Sequence, residues 1–292
     1  MTGFEVLPQL LVNGLIIGGT YALLGVGLTL IFGLMGVVNF AHGEFYTLGA
    51  YVAFFVLSAL APNFLFGLLG AILLGALLGA AVERLLAPLR HESIDTTMLL
   101  MIGVWIVMQN AELFVWGGVA KTIPQPLPTE PVVLGPVSVA PLRLFVFAVA
   151  AVLIAASHFL IHRTKLGRAM RATFQDQETA SLMGVNIDRI HTVTFAFGSA
   201  LAAAAGALLG SVFLVYPSMG DLALQKAFSV VILGGLGNFV GAALGGLLLG
   251  VAEELGAGYV ASGYRDAIGF LLIILVLLFR PSGLFGQADR IG

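Results

Sequence analysis

Phe32–Gly49 reads FGLMGVVNFAHGEFYTLG, and how this stretch is placed decides how the whole chain is read. It puts Asn39, His42 and Glu44 within six residues, in surroundings almost free of charge. A lipid-facing helix does not tolerate such a cluster, because each unpaired polar group in hydrocarbon costs several kcal/mol. The cluster therefore faces protein, a water-filled cavity or the membrane surface.

The surroundings are unmistakably those of a membrane chain. Of 292 residues, 59% are hydrophobic and 10% charged, with a mean hydropathy of +1.05. A soluble domain carries about 25% charged residues, so this chain lacks the polar groups to cover a water-facing surface. The reading is an all-α, polytopic membrane helix bundle of about eight or nine spans, forming one transmembrane domain over residues 1–292. Its 38 glycines suit close helix contact. The absence of cysteine excludes disulfides and thiolate metal sites. No basic tail or arm suggests a nucleic-acid partner. No Lys or Arg precedes the first apolar run, so that run reads as a retained helix rather than a cleaved signal peptide.

Working outward, the spans read as Leu10–Met35, Phe45–Leu60, Phe64–Ala87, Thr96–Trp116, Leu142–Ile161 and His191–Val215. Leu224–Glu254 reads as two short helices broken at Gly234–Asn238, and Ala267–Phe279 closes the series. Residues 117–141 carry six prolines and read as an external loop. Residues 162–190 hold Arg163, Lys165, Arg168, Arg171 and Arg189, five of the thirteen cations, and read as cytoplasmic. Counting back, the N-terminus falls outside and Asn39–Glu44 falls toward the cytoplasmic ends of the first two spans. Arg280 and Arg290 favour a cytoplasmic C-terminus.

An internal repeat shows in the pattern. A span, a polar break at Asn39–Glu44 and a short span correspond to a later span, a break at Pro217–Asp221 and a short span. With the orientation above the two copies are inverted, and inverted repeats place substrate sites at broken helices. Asn39, His42 and Glu44 then shape a gate or path, against the plainer reading of a connecting loop. Pro217 and Ser218 line its outer mouth or form a water-exposed turn. Neither group accompanies a partnered nucleophile or a metal-ligand spacing, which argues against an enzyme. Gly237, Gly241 and Gly245 put small residues at helix-packing spacing. Lys226 reads as paired with nearby Asp221, Glu253 and Glu254 as solvated, and Gln109, Asn110 and Glu112 as interfacial.

Within the cytoplasmic segment, Lys165–Met183 has helix-forming composition and Gly184 is a natural stop. Glu178-Thr179-Ala180-x-x-x-Gly184 resembles the EAA-x-x-x-G coupling motif of bacterial ABC-importer permeases, with Thr179 where the motif has Ala. Its flanks LGRAMRA and MGVNIDRIHTVTFAFGSALAAAAGALLG, with NGLIIGGTYALLGVGLTLIFGLMGVVNFAHGEFYTLGAYVA, GGLGNFVGAALGGLLLG and FRPSGLFG, strongly resemble the LivH-type permease of branched-chain amino acid ABC transporters. The resemblance spans Asn13 to Gly286. It implies a bacterial inner-membrane permease with one cytoplasmic coupling helix, in which Glu178, Ala180 and Gly184 meet an ATPase. It further implies a second homologous permease subunit, two cytoplasmic ATPase subunits and a periplasmic substrate-binding protein, with the membrane lipid around them. The substrate would be a branched-chain amino acid or a relative such as urea, an amide or an aromatic acid. The chain has no GxxxxGK(S/T) phosphate loop, so the ATP cofactor is expected on partner chains and none on this one. A stand-alone channel or secondary carrier is the alternative, but it leaves the cationic loop without a purpose.

Overall fold

Crossing a hydrocarbon core of about 30 Å takes roughly 20 apolar helical residues. Among the described residues of the computed structural model, eight helices meet that demand by length and composition. The structure describes residues 3–36, 38–60, 63–90, 92–124 and 130–286. Part of the proline-rich loop (125–129), Pro62 and Arg290 therefore lie outside the described residues.

The helices are α1 (Gly3–Met35), α2 (His42–Phe55), α3 (Phe64–Leu86), α4 (Ile94–Trp116), α5 (Pro141–Arg163), α6 (Lys165–Gln175), α7 (Gln177–Leu182), α8 (Ile187–Gly210), α9 (Met219–Gly234), α10 (Phe239–Tyr259) and α11 (Arg265–Phe279). Helix α2 widens into a π-helical turn over Val56–Leu60. A short antiparallel hairpin, β1 (Val132–Leu134) with β2 (Val137–Val139), folds the visible part of the proline-rich loop, in register Val133 opposite Ser138. The Ser138 amide donates to Gln9 Oε1 at 2.8 Å and fastens this hairpin to the start of α1.

Helices α1 and α8 are mostly buried, whereas α4, α5 and α11 turn most of their surface outward. Packing follows a repeat. Helix α1 lies along α10 and α8 lies along α3; α9 touches α1 and α2 touches α8; α4 sits beside α2 and α11 beside α9. Exchanging α1–α4 for α8–α11 turns one set of contacts into the other, the relation expected of the two repeats read from the sequence. The α1–α10 seam closes because Gly14 and Gly18 meet the backbone of Gly246, Leu247, Gly250 and Val251, with no side chain between.

Side-chain caps define most helix starts. Asn63, Ser93, Thr164, Asp176, Asn186 and Asn238 each accept a backbone amide from the first turn they precede. Helices α2, α5, α9 and α11 start without one: Ala41, Ala140, Ser218 and Tyr264 provide no side-chain cap.

Three sequence readings change here. Lys165–Met183 is two helices, because Asp176 is extended (φ −160°) and caps α7. Lys226 pairs with Glu253 Oε1 (2.5 Å) and Asp266 Oδ1 (2.7 Å), across α10 and α11, rather than with Asp221. Glu253 and Glu254 are buried, not solvated, and Glu254 pairs with Arg265 at 2.6 Å.

Candidate functional site

After α1 ends at Met35, the chain turns back along the helix it has just left. His42 Nε2 lies 3.1 Å from the Leu24 carbonyl oxygen, so Nε2 carries the proton and donates it there. Leu24 stands eleven residues before Met35, which at 1.5 Å per helical residue is about 16 Å back along α1. The same edge of the His42 ring, Nε2 and Cε1, faces Gly27, which itself abuts the Gly198 carbonyl midway along α8. Asn39, His42 and Glu44 are each no more than 1% exposed. The stretch thus lies at the mid-depth of α1 and α8, not at their ends as the sequence alone suggests. A re-entrant segment of this kind is tolerated because it is enclosed in protein.

The second break converges on the same place. Tyr216, Pro217 and Ser218 lead into α9, whose first turn abuts the first turn of α2. A Cβ at Gly220 would lie 2.7 Å from the Gly43 carbonyl oxygen and 2.9 Å from Glu44 Oε1, and one at Gly43 would collide with the Gly220 carbonyl. Only glycine at both positions allows this approach. Pro217 is buried beside the junction and Ser218 is exposed. Two uncapped helix N-termini, each with partial positive charge, therefore meet head to head. Each carries a carboxylate in its first turn, Glu44 on α2 and Asp221 on α9.

Helix α4 reads both carboxylates. Trp105 Nε1, midway along α4, donates to Glu44 Oε1 at 3.0 Å, and Gln109 Nε2, one turn on, donates to Asp221 at 3.1 and 3.3 Å. A further turn on, Glu112 is buried. The Tyr51 ring stacks on Trp116, centroids 4.6 Å apart, and completes the α2–α4 contact. Sequence reasoning missed this role for α4, treating Gln109 and Glu112 as interfacial. The available signal was the matching pair Gly43-Glu44 and Gly220-Asp221 at the two breaks.

Glu178, Ala180 and Gly184 lie apart from this junction, on α7 and its exit. Ala180 is buried while Glu178 is exposed, and Leu182 and Met183 present apolar side chains that are 83% and 82% exposed. The helix closes in a Schellman arrangement: the Gly184 amide donates to Ser181 (2.9 Å) and the Val185 amide to Ala180 (3.1 Å). Gly184 holds the left-handed φ of +85° that this requires. The departure Thr179 has a local use, since its amide (3.0 Å) and hydroxyl (2.5 Å) both donate to Asp176. Those bonds hold the Asp176 carboxyl below its ordinary pKa. The cap is therefore present above the unfolded-state pKa and lost as pH falls through the lower folded value. Amide exchange at Glu178–Ala180, corrected for its intrinsic pH dependence, is expected to quicken on acidification in the native chain and to lose that response in Asp176→Asn.

Two side chains tie this segment to the bundle. Gln177 Nε2 donates to the Leu34 carbonyl at 3.2 Å. The Phe174 ring wedges between Gly33 of α1 and Gly237 of the α9–α10 turn, where an added Cβ would come within 2.6 and 2.9 Å of it. Gly241 and Gly245 face Gly234 of α9, so this glycine series packs within the chain. A cavity of about 490 Å³ opens beside α7, lined by Gly36, Arg90, Gln177, Glu178 and His191. In its wall Arg90 bonds both Glu83 and Asp188, and the Thr192 hydroxyl donates to Glu83 at 2.5 Å.

Residues 10–277 match the family described as branched-chain amino acid transport system / permease component. The chain belongs to this family. The permease is 39% identical to the high-affinity branched-chain amino acid transport system permease protein BraD of Pseudomonas aeruginosa, over 96% of each chain. It is 36% identical to LivH of Escherichia coli K12, again over 96% of each. The ribose import permease protein RbsC of Escherichia coli K12 is 26% identical over 94% of the permease and 84% of its own length. The similarity therefore extends to a permease named for a sugar, so the scaffold by itself does not fix a substrate. Among the described residues no group of three His, Cys, Asp or Glu side chains is placed to hold a metal ion.

Proposed function

We propose that the permease is the membrane-spanning subunit of an ATP-driven importer for branched-chain amino acids in the bacterial inner membrane. The observation that carries this reading is the near full-length similarity to permeases named for that transport, joined to a coupling helix that presents exposed apolar residues beyond its capped end. In this reading α6 and α7 face the cytoplasm, where α7 seats in one of two ATPase subunits. A second permease subunit completes the membrane unit, and a periplasmic binding protein delivers the substrate. ATP is held by the ATPase chains, and this chain takes no cofactor.

Transport then follows from what α7 touches. ATPase closure displaces α7; Gln177 passes the movement to the inner end of α1, and the Phe174 wedge passes it to α1 and the α9–α10 turn together. Helices α1 and α9 are parts of opposite repeats, so shifting both changes how the repeats meet at Gly43 and Gly220. Asn39, His42, Glu44, Pro217 and Ser218 shape the path at that crossing, and apolar walls suit a branched side chain.

The test is reconstitution with the candidate ATPases and binding protein. Copurification of the ATPases in mild detergent and ATP-dependent leucine uptake are the expected results. A tagged chain that captures no ATPase, or a complex that takes up no leucine, overturns the assignment. Phe174→Ala is expected to leave assembly and ATP hydrolysis in place while uptake falls roughly 2- to 30-fold, the range of measured coupling effects. Unchanged uptake in this variant would remove the wedge from the mechanism.

A further inference from the structure

The last turns of α1 and α5 and the first turn of α10 meet α6 around a second cavity, of about 570 Å³. Its floor includes the buried side chains of Leu34, Ile161 and Met170, and its rim the exposed Phe174, Leu236 and Val240. Arg171 of α6 lines one wall, fixed there by a bond from Nη1 to the Ile161 carbonyl oxygen at 2.6 Å. A carbonyl does not neutralise a guanidinium, and no Asp or Glu lines the cavity. Among the described residues Arg171 is in no ion pair, nor are Arg163, Lys165 and Arg168, which stand exposed on the same stretch. Two further lining residues, Thr29 and Thr194, are 1% and 2% exposed and their hydroxyls have no hydrogen-bond partner. From the rim, Val240, Leu244 and Leu248 follow one another along α10 at four-residue intervals, each between 40% and 47% exposed. That spacing places them on one face, as an apolar track leading from the cavity along the span.

An unbalanced cation, an apolar floor and an outward apolar track therefore coincide where three spanning helices have their ends. A soluble phosphate has no use for the apolar part. A zwitterionic amino acid, or a lipid with an ammonium head, would put its ammonium where no carboxylate receives it. We propose that this cavity binds an anionic phospholipid, with the phosphate on Arg171 and one acyl chain along Val240, Leu244 and Leu248. Arg163, Lys165 and Arg168 draw anionic headgroups toward the same rim. The site does not depend on which solute is carried; only its leaflet, the cytoplasmic one, rests on the orientation proposed for α6. A lipid seated there lies against Phe174 and braces the segment that carries α7.

The test is native mass spectrometry of the delipidated full-length permease, titrated with phosphatidylglycerol, phosphatidylethanolamine or glycerol phosphate. The expected result is one phosphatidylglycerol retained per chain, weaker retention of phosphatidylethanolamine and none of glycerol phosphate. Arg171→Gln should weaken retention roughly fivefold, the effect of one basic residue near an anionic leaflet. Val240→Glu, which adds a carboxylate on the exposed rim, should weaken it at least as much. This variant keeps the bond from Arg171 to Ile161, so it decides the matter if Arg171→Gln does not fold. Arg84→Gln removes an exposed cation of α3 outside the cavity and should leave retention unchanged. Equal retention of the two lipids overturns the proposal, as does undiminished retention in Val240→Glu. So does a loss in Arg84→Gln equal to that in Arg171→Gln, the mark of diffuse charge attraction. Displacement of the lipid by leucine or by glycerol phosphate also overturns it, since the cavity would then serve a soluble ligand.

Discussion

Gly43→Val and Gly220→Val are each expected to abolish uptake while the protein still inserts in the membrane. The side chain added at Gly43 runs into the Gly220 carbonyl, and the one at Gly220 meets the Gly43 carbonyl and the Glu44 carboxylate. Backbone cannot yield as a flexible side chain can, so the two helix starts must separate. Overpacking of this kind costs about 1–3 kcal/mol, which is within reach of a folded bundle. The functional loss exceeds the stability loss, because Glu44 and Asp221 are set against Trp105 and Gln109 by the same approach. Gly103→Val provides the control, since nothing lies within 4 Å of a Cβ at that position. Uptake at wild-type rates in Gly43→Val would show that the crossing is not part of the moving parts.

Lys226→Met is expected to cause a large loss of stability. Removing the ammonium leaves Glu253, 1% exposed, without its principal partner. Breaking one side of a buried ion pair costs about 3–5 kcal/mol. The bond to Asp266 adds little to this, because that carboxylate is 57% exposed and screened by solvent. The Tyr21 hydroxyl still donates to Glu253 at 3.2 Å, but a neutral donor does not replace the charge. Adding Glu253→Gln should restore most of the loss, since the double variant carries no unpaired buried ion. Denaturation midpoints of the single and double variants in detergent decide the matter; equal midpoints for the two would contradict the ion-pair account.

The apolar spans, the proline-rich loop and the amphipathic segment before Gly184 were legible in the sequence because each depends on local composition. Helix limits moved by a few residues where caps such as Ser93 and Asn186 set them. The depth of Asn39–Glu44 was not legible. A polar break between two spans looks the same whether it leaves the membrane or folds back, and only the bond from His42 to Leu24, eighteen residues earlier, separates the two. Lys226 was misassigned for a related reason: Asp221 is near in sequence, whereas Glu253 and Asp266 are brought in by the packing of α10 and α11. Glu112 looked interfacial because it lies toward the outer end of its span, and burial of one side chain on a mostly exposed helix leaves no periodic mark.

The seam between α1 and α10 bears on how the chain is made. Gly14 leaves the ribosome 236 residues before its packing partner Gly250, an interval of about ten to fifty seconds at ordinary rates of synthesis. Throughout that time the first helix carries a stripe of bare backbone with nothing against it. A chain cut short before Gly246 would keep that stripe open permanently. Quality control that recognises unpaired membrane helices therefore has one long opportunity to act, and the nascent protein leaves it only when its tenth helix is in place.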